Sequence, residues 1–376
     1  VVPAVAGESQ FGFIRGRSAY AAILAANFFA EQGHPMILID VARAYTNVHV
    51  GRLQQWIVAL GAPAGVTRVL TAILHERNMD IKFKGRVWAR VAARRGLRQG
   101  NALSPALFNL YARLLKEMIK WRAGPAVLAV LQFADDTTLV LRRNASGEDM
   151  EAVGGALQMV EELLLLPINK TKTVAINLGN LQGDPAWSIA NTCKFLGITI
   201  PVSKGSTTMA QELVKRLKGI TARLSPLHLP GDIAAGVWNS YGMSLLIYRN
   251  PCIQWQDADI RELEWVMRRW LGGLCTKARG YFGRALACCM KPLEVGGLGV
   301  VNLRAALKTG RVVWERIIRN PDVIPTDMQV WIPQMMSAMG VAEGGIVKPC
   351  IGPPSSQETY AHLCEHTVEA PPELIW

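Results

Sequence analysis

The chain has 376 residues, half of them hydrophobic, and a formal net charge of +12. That length and composition exclude a disordered polymer and a small disulfide scaffold, and leave room for about two or three domains with a sizeable core. The positive balance points to a polyanionic partner, either nucleic acid or an acidic membrane surface.

No apolar run reaches the length needed to cross a membrane. The first residues, Val1-Val2-Pro3-Ala4-Val5, lack the basic start of a signal peptide and an initiator Met, so the chain reads as a fragment or a processed product. Seven cysteines at irregular spacing make no disulfide framework and read as reduced thiols of an intracellular protein. Cys288 and Cys289 are neighbours that suit packing better than ligation.

In chain order, residues 10–17 predict a loop and Ser18–Glu31 a helix rich in Ala and Leu. Met36-Ile37-Leu38-Ile39 is a buried strand with Asp40 at its far end. Val50–Leu60 and Val66–His75 read as helices. Asp80–Ala92 alternates Ile81, Phe83, Val87 and Val91 with Lys82, Lys84, Arg86 and Arg90, with a turn at Lys84-Gly85. This is a basic hairpin, either a solvated edge or a nucleic-acid surface. A helix opens at Ser104-Pro105, with Ser104 as cap and Pro105 in the first turn, and continues through Met118.

The next block is the most informative. Val127–Leu131 and Thr137–Leu141 flank Phe133-Ala134-Asp135-Asp136, which predicts strand, tight turn and strand with both carboxylates at the turn. Two like charges beside buried strands need a compensating cation, for which a divalent metal is the usual answer. The plain alternative is an exposed turn, where Asp is common. Ser146–Leu166 is helical, with Glu148, Glu151, Glu161 and Glu162 on its polar side. Thr173–Leu178 and Cys193–Ile200 read as strands. From Thr208 the texture turns to long helices carrying Lys215, Arg216, Lys218, Arg223, Arg261, Arg268 and Arg269. Beyond Arg319 the prolines multiply and the chain looks irregular.

Several blocks stand in a fixed order: Gln10-Phe11-Gly12-Phe13 with Gly16-Arg17-Ser18, Asp40 with Tyr45, Gly96–Pro105, Phe133–Asp136, Asn169–Thr173, Phe195-Leu196-Gly197, and Gly296-Gly297-Leu298-Gly299. Together, from about Gln10 to Leu303, they resemble a reverse transcriptase, most closely those of non-LTR (LINE-type) retrotransposons. The resemblance implies an α+β right-hand polymerase: partial fingers and palm over 1–200, a helical thumb over 201–318, and a tail over 319–376. The palm would be an antiparallel sheet with packed helices.

It also implies a chemistry. Adding a dNTP requires the primer 3′-hydroxyl to lose its proton while charge builds on the phosphates; two Mg²⁺ ions, roughly 4 Å apart, supply both functions, and Mn²⁺ is an alternative. Asp40 and Asp135 are the expected ligands, with Asp136 less direct. A helix N-cap is the plain alternative for Asp40. Tyr45 resembles the aromatic gate that excludes a 2′-hydroxyl, against a simple core tyrosine. Arg98, Gln99 and Gly100 resemble the nucleotide-pocket block, with Phe133 beside it. Lys172 resembles the lysine near the triphosphate, with Lys170 as the bland neighbour. Phe195-Leu196-Gly197 resembles the primer-grip hairpin. Arg15 and Arg17 suit template phosphates, and basic thumb helices would track the duplex.

The implied partners are an RNA template, a DNA primer at the target, and dNTPs, with no membrane; the implied setting is intracellular, with action in the nucleus and cytoplasmic assembly as the alternative. The chain departs from the pattern at Thr46, where the family usually has Asp. It also starts at the second motif, so the first finger block and an endonuclease would lie elsewhere in a polyprotein. Cys350, His362, Cys364 and His366 have gaps that do not match a zinc knuckle. A non-catalytic nucleic-acid-binding relic and a group II intron maturase-like protein stand as the competing readings.

Overall fold

The computed structural model describes residues 9–309 except 76–77, 93–94, 228, 254, 275–288, 292 and 296. The predicted irregular tail, its Cys/His residues, Cys288 and Gly296 therefore lie outside the described residues. Two compact units emerge. The first takes residues 9–209, 246–253 and 305–309; the second takes 210–245 and 255–304.

In the first unit, α1 (Ala19–Glu31) starts at Ser18, whose hydroxyl accepts from the Ala21 amide at 3.2 Å. From Ala21 to Ala30 all but Asn27 are buried, as befits a helix apolar on every side. Strand β1 (Met36–Ile39) follows. Two helices come next, α2 (Ala44–Asn47) and α3 (Val50–Ala59), and then α4 (Ala64–His75). Strands β2 (Asn78–Phe83) and β3 (Arg86–Ala92) form a separate two-stranded hairpin. Helix α5 (Ser104–Ala123) leads to β4 (Val127–Phe133) and β5 (Asp136–Leu141). Helix α6 (Gly147–Leu164) opens on a full capping box between Ser146 and Asp149.

The main sheet has five strands in the order β4-β5-β1-β6-β7, with β6 at Val174–Ile176 and β7 at Ser188–Ala190. All its pairings are antiparallel except β6 with β7. Helices α5 and α6 pack on it, tied by the Tyr111 hydroxyl donating to the Leu164 carbonyl at 2.6 Å. Ile37, Val130, Leu139, Phe108, Ile119 and Val153 share its core.

Three local readings change. Ser104 is not the cap of α5: the cap position is Leu103, and the Ser104 hydroxyl donates to the Arg98 carbonyl at 2.5 Å. No side chain caps the helix; Asn101 instead makes a turn just before it, accepting from the Leu103 amide at 2.9 Å. Cys193–Ile200 is a hairpin, β8 (Cys193–Phe195) and β9 (Ile198–Ile200), because Leu196 and Gly197 both take positive φ. Strand β7, largely exposed, has no counterpart in the sequence reading.

The second unit is helical. Helix α7 (Val202–Leu224) carries the chain into it, followed by α8 (Gly231–Val237), a π-helical turn (Trp238–Gly242), α9 (Met243–Arg249), which returns to the first unit from Leu246, and α10 (Asp257–Leu274). Trp238 and Trp270 meet edge to face at 5.3 Å, and the Trp270 indole donates to the Ala234 carbonyl. Part of its basic charge is paired internally: Lys218 with Glu262, and Arg304 with Glu264. Among the described residues no helix is long and apolar enough to cross a membrane.

Candidate active site

The antiparallel pairing of β1 with β5 brings the distant aspartates together. Ile39 faces Thr137, so Asp40, the next residue, lies beside Asp136 at the start of β5. Asp135 occupies the two-residue turn with Ala134 that joins β4 to β5, where Phe133 pairs with Asp136. Asp136 is exposed as a residue, yet protein packed around its carboxyl strips water from it. That desolvation, with the charges of Asp135 and Asp40, pushes its pKa up to about 6. Asp40 is not a helix cap: α2 begins after Arg43.

The Asp40 carbonyl accepts from the Asn169 amide at 2.7 Å, and Val41 bridges Ile168. The Asn169–Thr173 block is thereby fastened to the Asp40 end of β1. Within it, Lys170 is paired with Asp184 at 2.9 Å, while Lys172 is exposed and makes no ion pair among the described residues.

Tyr45 lies on α2, its ring stacked on Phe108 of α5 at 4.5 Å and 14°. Burial, and then the charge of Asp135, raise the pKa of its hydroxyl, so Tyr45 shares the electrostatic field of the aspartate turn. The Tyr45 loop is locked from the other side. Leu97 N–H donates to the Tyr45 carbonyl at 2.8 Å and Gly96 N–H to Val48 at 3.0 Å. Thr46, the departure from the family pattern, is exposed; its carbonyl and Cα press on Gly96. Just beyond, Arg98, Gln99 and Gly100 are exposed, with Gly100 at φ 85°.

At β8–β9 the Phe195 side chain is buried, so it supports the turn from beneath while Leu196 and Gly197 reach the surface. The turn is pinned by the Tyr248 hydroxyl donating to the Leu196 carbonyl at 2.7 Å. Arg15 is exposed, whereas the Arg17 guanidinium donates to the Gln10 carbonyl at 2.5 Å. The β2–β3 hairpin leaves Phe83 and Trp88 largely in water among Lys82, Lys84 and Arg86.

One residue escaped the sequence reading as an individual. Gln10 is fully buried and hydrogen-bonded to both backbone groups of Ala134. Only its place in the Gln10–Phe13 block signalled it.

The donor set of Asp40, Asp135 and Asp136 is all carboxylate oxygen, and its mutual repulsion is what a hard divalent cation relieves. Among the described residues no group of three or more His, Cys, Asp or Glu is placed to hold a metal ion, so the three aspartates do not by themselves form a complete metal site. An open carboxylate site suits Mg²⁺, which takes one or two carboxylates with phosphates and water, and not a structural zinc.

A mixed sheet with two packed helices and acidic residues at adjacent strand ends is the palm of a polymerase. Residues 2–200 match the reverse transcriptase (RNA-dependent DNA polymerase) family, and the chain belongs to it. Membership implies dependence on a divalent metal in general. Two curated relatives are the Retrovirus-related Pol polyproteins from type-1 retrotransposable element R2 of Popillia japonica and Nasonia vitripennis. The first is 26% identical over 204 residues, covering 48% of this chain and 32% of the relative. The second is 27% identical over 244 residues, covering 58% of this chain and 22% of the relative. The chain thus spans a third or less of these relatives. Among solved structures, telomerase from Candida albicans in complex with a telomeric RNA fragment aligns at TM-score 0.45 and 13% identity, covering 98% of this chain and 56% of that one. Apo telomerase from Candida tropicalis aligns at TM-score 0.41 and 12% identity, over 89% and 57%.

Proposed function

We propose that this chain is the polymerase core of a non-LTR retrotransposon reverse transcriptase, extending a DNA primer with dNTPs on an RNA template. The observation that carries the reading is the β1–β5 register, which sets Asp40 beside the Asp135-Asp136 turn within the field felt by Tyr45.

Asp40 and Asp135 would hold Mg²⁺ or Mn²⁺, with Asp136 supporting them. When bound, two such ions lower the pKa of the primer hydroxyl and neutralise the triphosphate. The chain's own residues do the rest. Tyr45, braced by Phe108, closes the space a 2′-hydroxyl would need. Lys172 meets the charge of the departing pyrophosphate, while Lys170 stays with Asp184. Arg98, Gln99, Gly100 and Phe133 border the nucleotide. Leu196 and Gly197 present the primer-side turn that Phe195 supports.

Template phosphates would be met by Arg15 and by cations of the β2–β3 hairpin, through sequence-independent and salt-sensitive contacts. The nick that supplies the primer would come from an endonuclease elsewhere in a longer polyprotein, acting in the nucleus.

The test is primer extension on an RNA template with Mg²⁺ and dNTPs, comparing the chain with Asp135→Ala. Extension abolished by the substitution is the expected result. Extension at an undiminished rate in Asp135→Ala refutes the assignment. Duplex binding with no extension by either protein is the behaviour of a non-catalytic relic.

A further inference from the structure

We propose that Gln10 is the positioning residue for Asp135: one buried amide clasps the turn on which that aspartate stands. The inference rests on the reading of Asp135 as a metal-holding carboxylate, and it begins from the backbone. Ala134 has φ 54°, a conformation that residues with a Cβ rarely adopt unless their surroundings enforce it.

Gln10 supplies that enforcement. Its Oε1 accepts from the Ala134 amide at 2.8 Å, and its Nε2 donates to the Ala134 carbonyl at 3.3 Å. The same Oε1 accepts from the Gly12 amide at 2.9 Å. Gly12 packs so closely on the turn that a Cβ there would stand 2.5 Å from the Ala134 nitrogen.

The clasp is itself anchored. Gln10 bridges Gln132, the Phe11 amide donates to the Gln132 carbonyl at 2.7 Å, and the Gln132 amide donates to Ser9 at 2.9 Å. Asn109 on α5 donates to the Gly12 carbonyl at 2.8 Å, and Gln132 donates to the Ala112 carbonyl at 2.9 Å. The Asp135 turn is thus referenced to α5 through Gln10 and its neighbours.

The residue type follows from the task. Satisfying a peptide N–H and C=O at once needs an acceptor and a donor on one rigid plane. A glutamate would lose the bond to the Ala134 carbonyl and add a further negative charge near Asp40, Asp135 and Asp136.

The experiment compares wild type, Gln10→Met and Asp135→Asn by amide hydrogen exchange and by Mn²⁺ binding followed by electron paramagnetic resonance. In wild type the Ala134 amide should be protected. In Gln10→Met, Ala134 and Gly12 should exchange at least about tenfold faster while Leu139 in β5 stays protected. Mn²⁺ affinity should fall by about tenfold, the usual scale for removing a residue that orients a metal-holding side chain.

A wild-type Ala134 amide that exchanges like an exposed one overturns the proposal, and does so even if Gln10→Met fails to fold. Unchanged Ala134 exchange in a folded Gln10→Met also overturns it. So does faster exchange with unchanged Mn²⁺ affinity, where Asp135→Asn does weaken binding, since Gln10 would then be structural only. If Asp135→Asn leaves Mn²⁺ binding intact, the metal reading itself has failed, and Ala134 exchange alone decides the clasp.

Discussion

Replacing Gly96 by Ala should destabilise the first unit and disturb the Tyr45 loop. Gly96 has φ +83°, and a Cβ there would lie 2.7 Å from the Thr46 carbonyl oxygen and 2.8 Å from its Cα. Placing an L side chain in the left-handed region costs about 1–2 kcal/mol. Forcing a methyl into packed structure adds about 1–3 kcal/mol, and here the obstacle is main chain, which cannot rotate away. The sum is roughly 2–5 kcal/mol, and for a unit of this size that lowers Tm by about 5–15 °C.

The same push bears on the hydrogen bonds from Gly96 to Val48 and from Leu97 to Tyr45. Deoxy-over-ribo selectivity should therefore fall alongside stability. Gly154→Ala is the control: it lies mid-helix in α6 with nothing within 4 Å of its added Cβ, and should stabilise by up to about 1 kcal/mol. Urea and thermal unfolding of both variants provide the readout. A Gly96→Ala protein within about 0.5 kcal/mol of wild type, a shift typical of neutral surface changes, would show that position 96 tolerates a Cβ.

Tyr45→Ala should accept ribonucleotides more readily, while Tyr45→Phe, which keeps the stack on Phe108, should not; an unchanged ratio in competition assays dismisses the gate. Lys172→Ala should slow single-nucleotide incorporation by about 10²-fold. Lys170→Ala, losing only an exposed pair with Asp184, should cost less than about 1 kcal/mol and leave the rate alone. Stability should also depend on His34, whose pKa is lowered from 6.5 by burial against a compensating bond to the Leu141 carbonyl, with Arg143 adding repulsion. The unfolded chain then binds a proton that the folded one resists. The His34 contribution is complete above pH 6.5 and shrinks as pH falls below it. Urea midpoints at pH 7.5 and 5.5 should converge less steeply in His34→Gln; an equal slope would rule this out.

Much of the palm was legible because its signals are local. The apolar runs of β1, β4 and β5 and the helical patterns opening at Ser18 and Ser146 declare their elements in a few residues. The convergence of Asp40 with Asp135 was not local: it came from the resemblance, and only strand register made it physical. The cap of α5 was misread because a Ser hydroxyl can bond nearby backbone in more than one way, and Ser104 turned back to the Arg98 carbonyl instead of capping the helix. Strand β7 carries almost no apolar alternation, since its partner β6 supplies the order. Gln10 was opaque as an individual because burial of a polar side chain depends on partners more than 120 positions away.

The β2–β3 hairpin has a consequence for how these molecules behave in concentrated solution. Among the described residues it pairs with no third strand, so both outer edges offer backbone groups to any extended neighbour. Met79, Ile81, Phe83, Val87 and Trp88 are exposed on it, a surface that invites strand-to-strand self-association. A register shift between Ile81 and Lys82 bends one strand, and Lys82, Lys84 and Arg86 keep like-charged copies apart. Salt weakens that repulsion, because charges separated by more than about 10 Å are screened at 0.1 M. The net charge of +12 keeps whole molecules apart, and the hairpin cations add to that repulsion at the one edge where strands could pair, so raising ionic strength should favour association there.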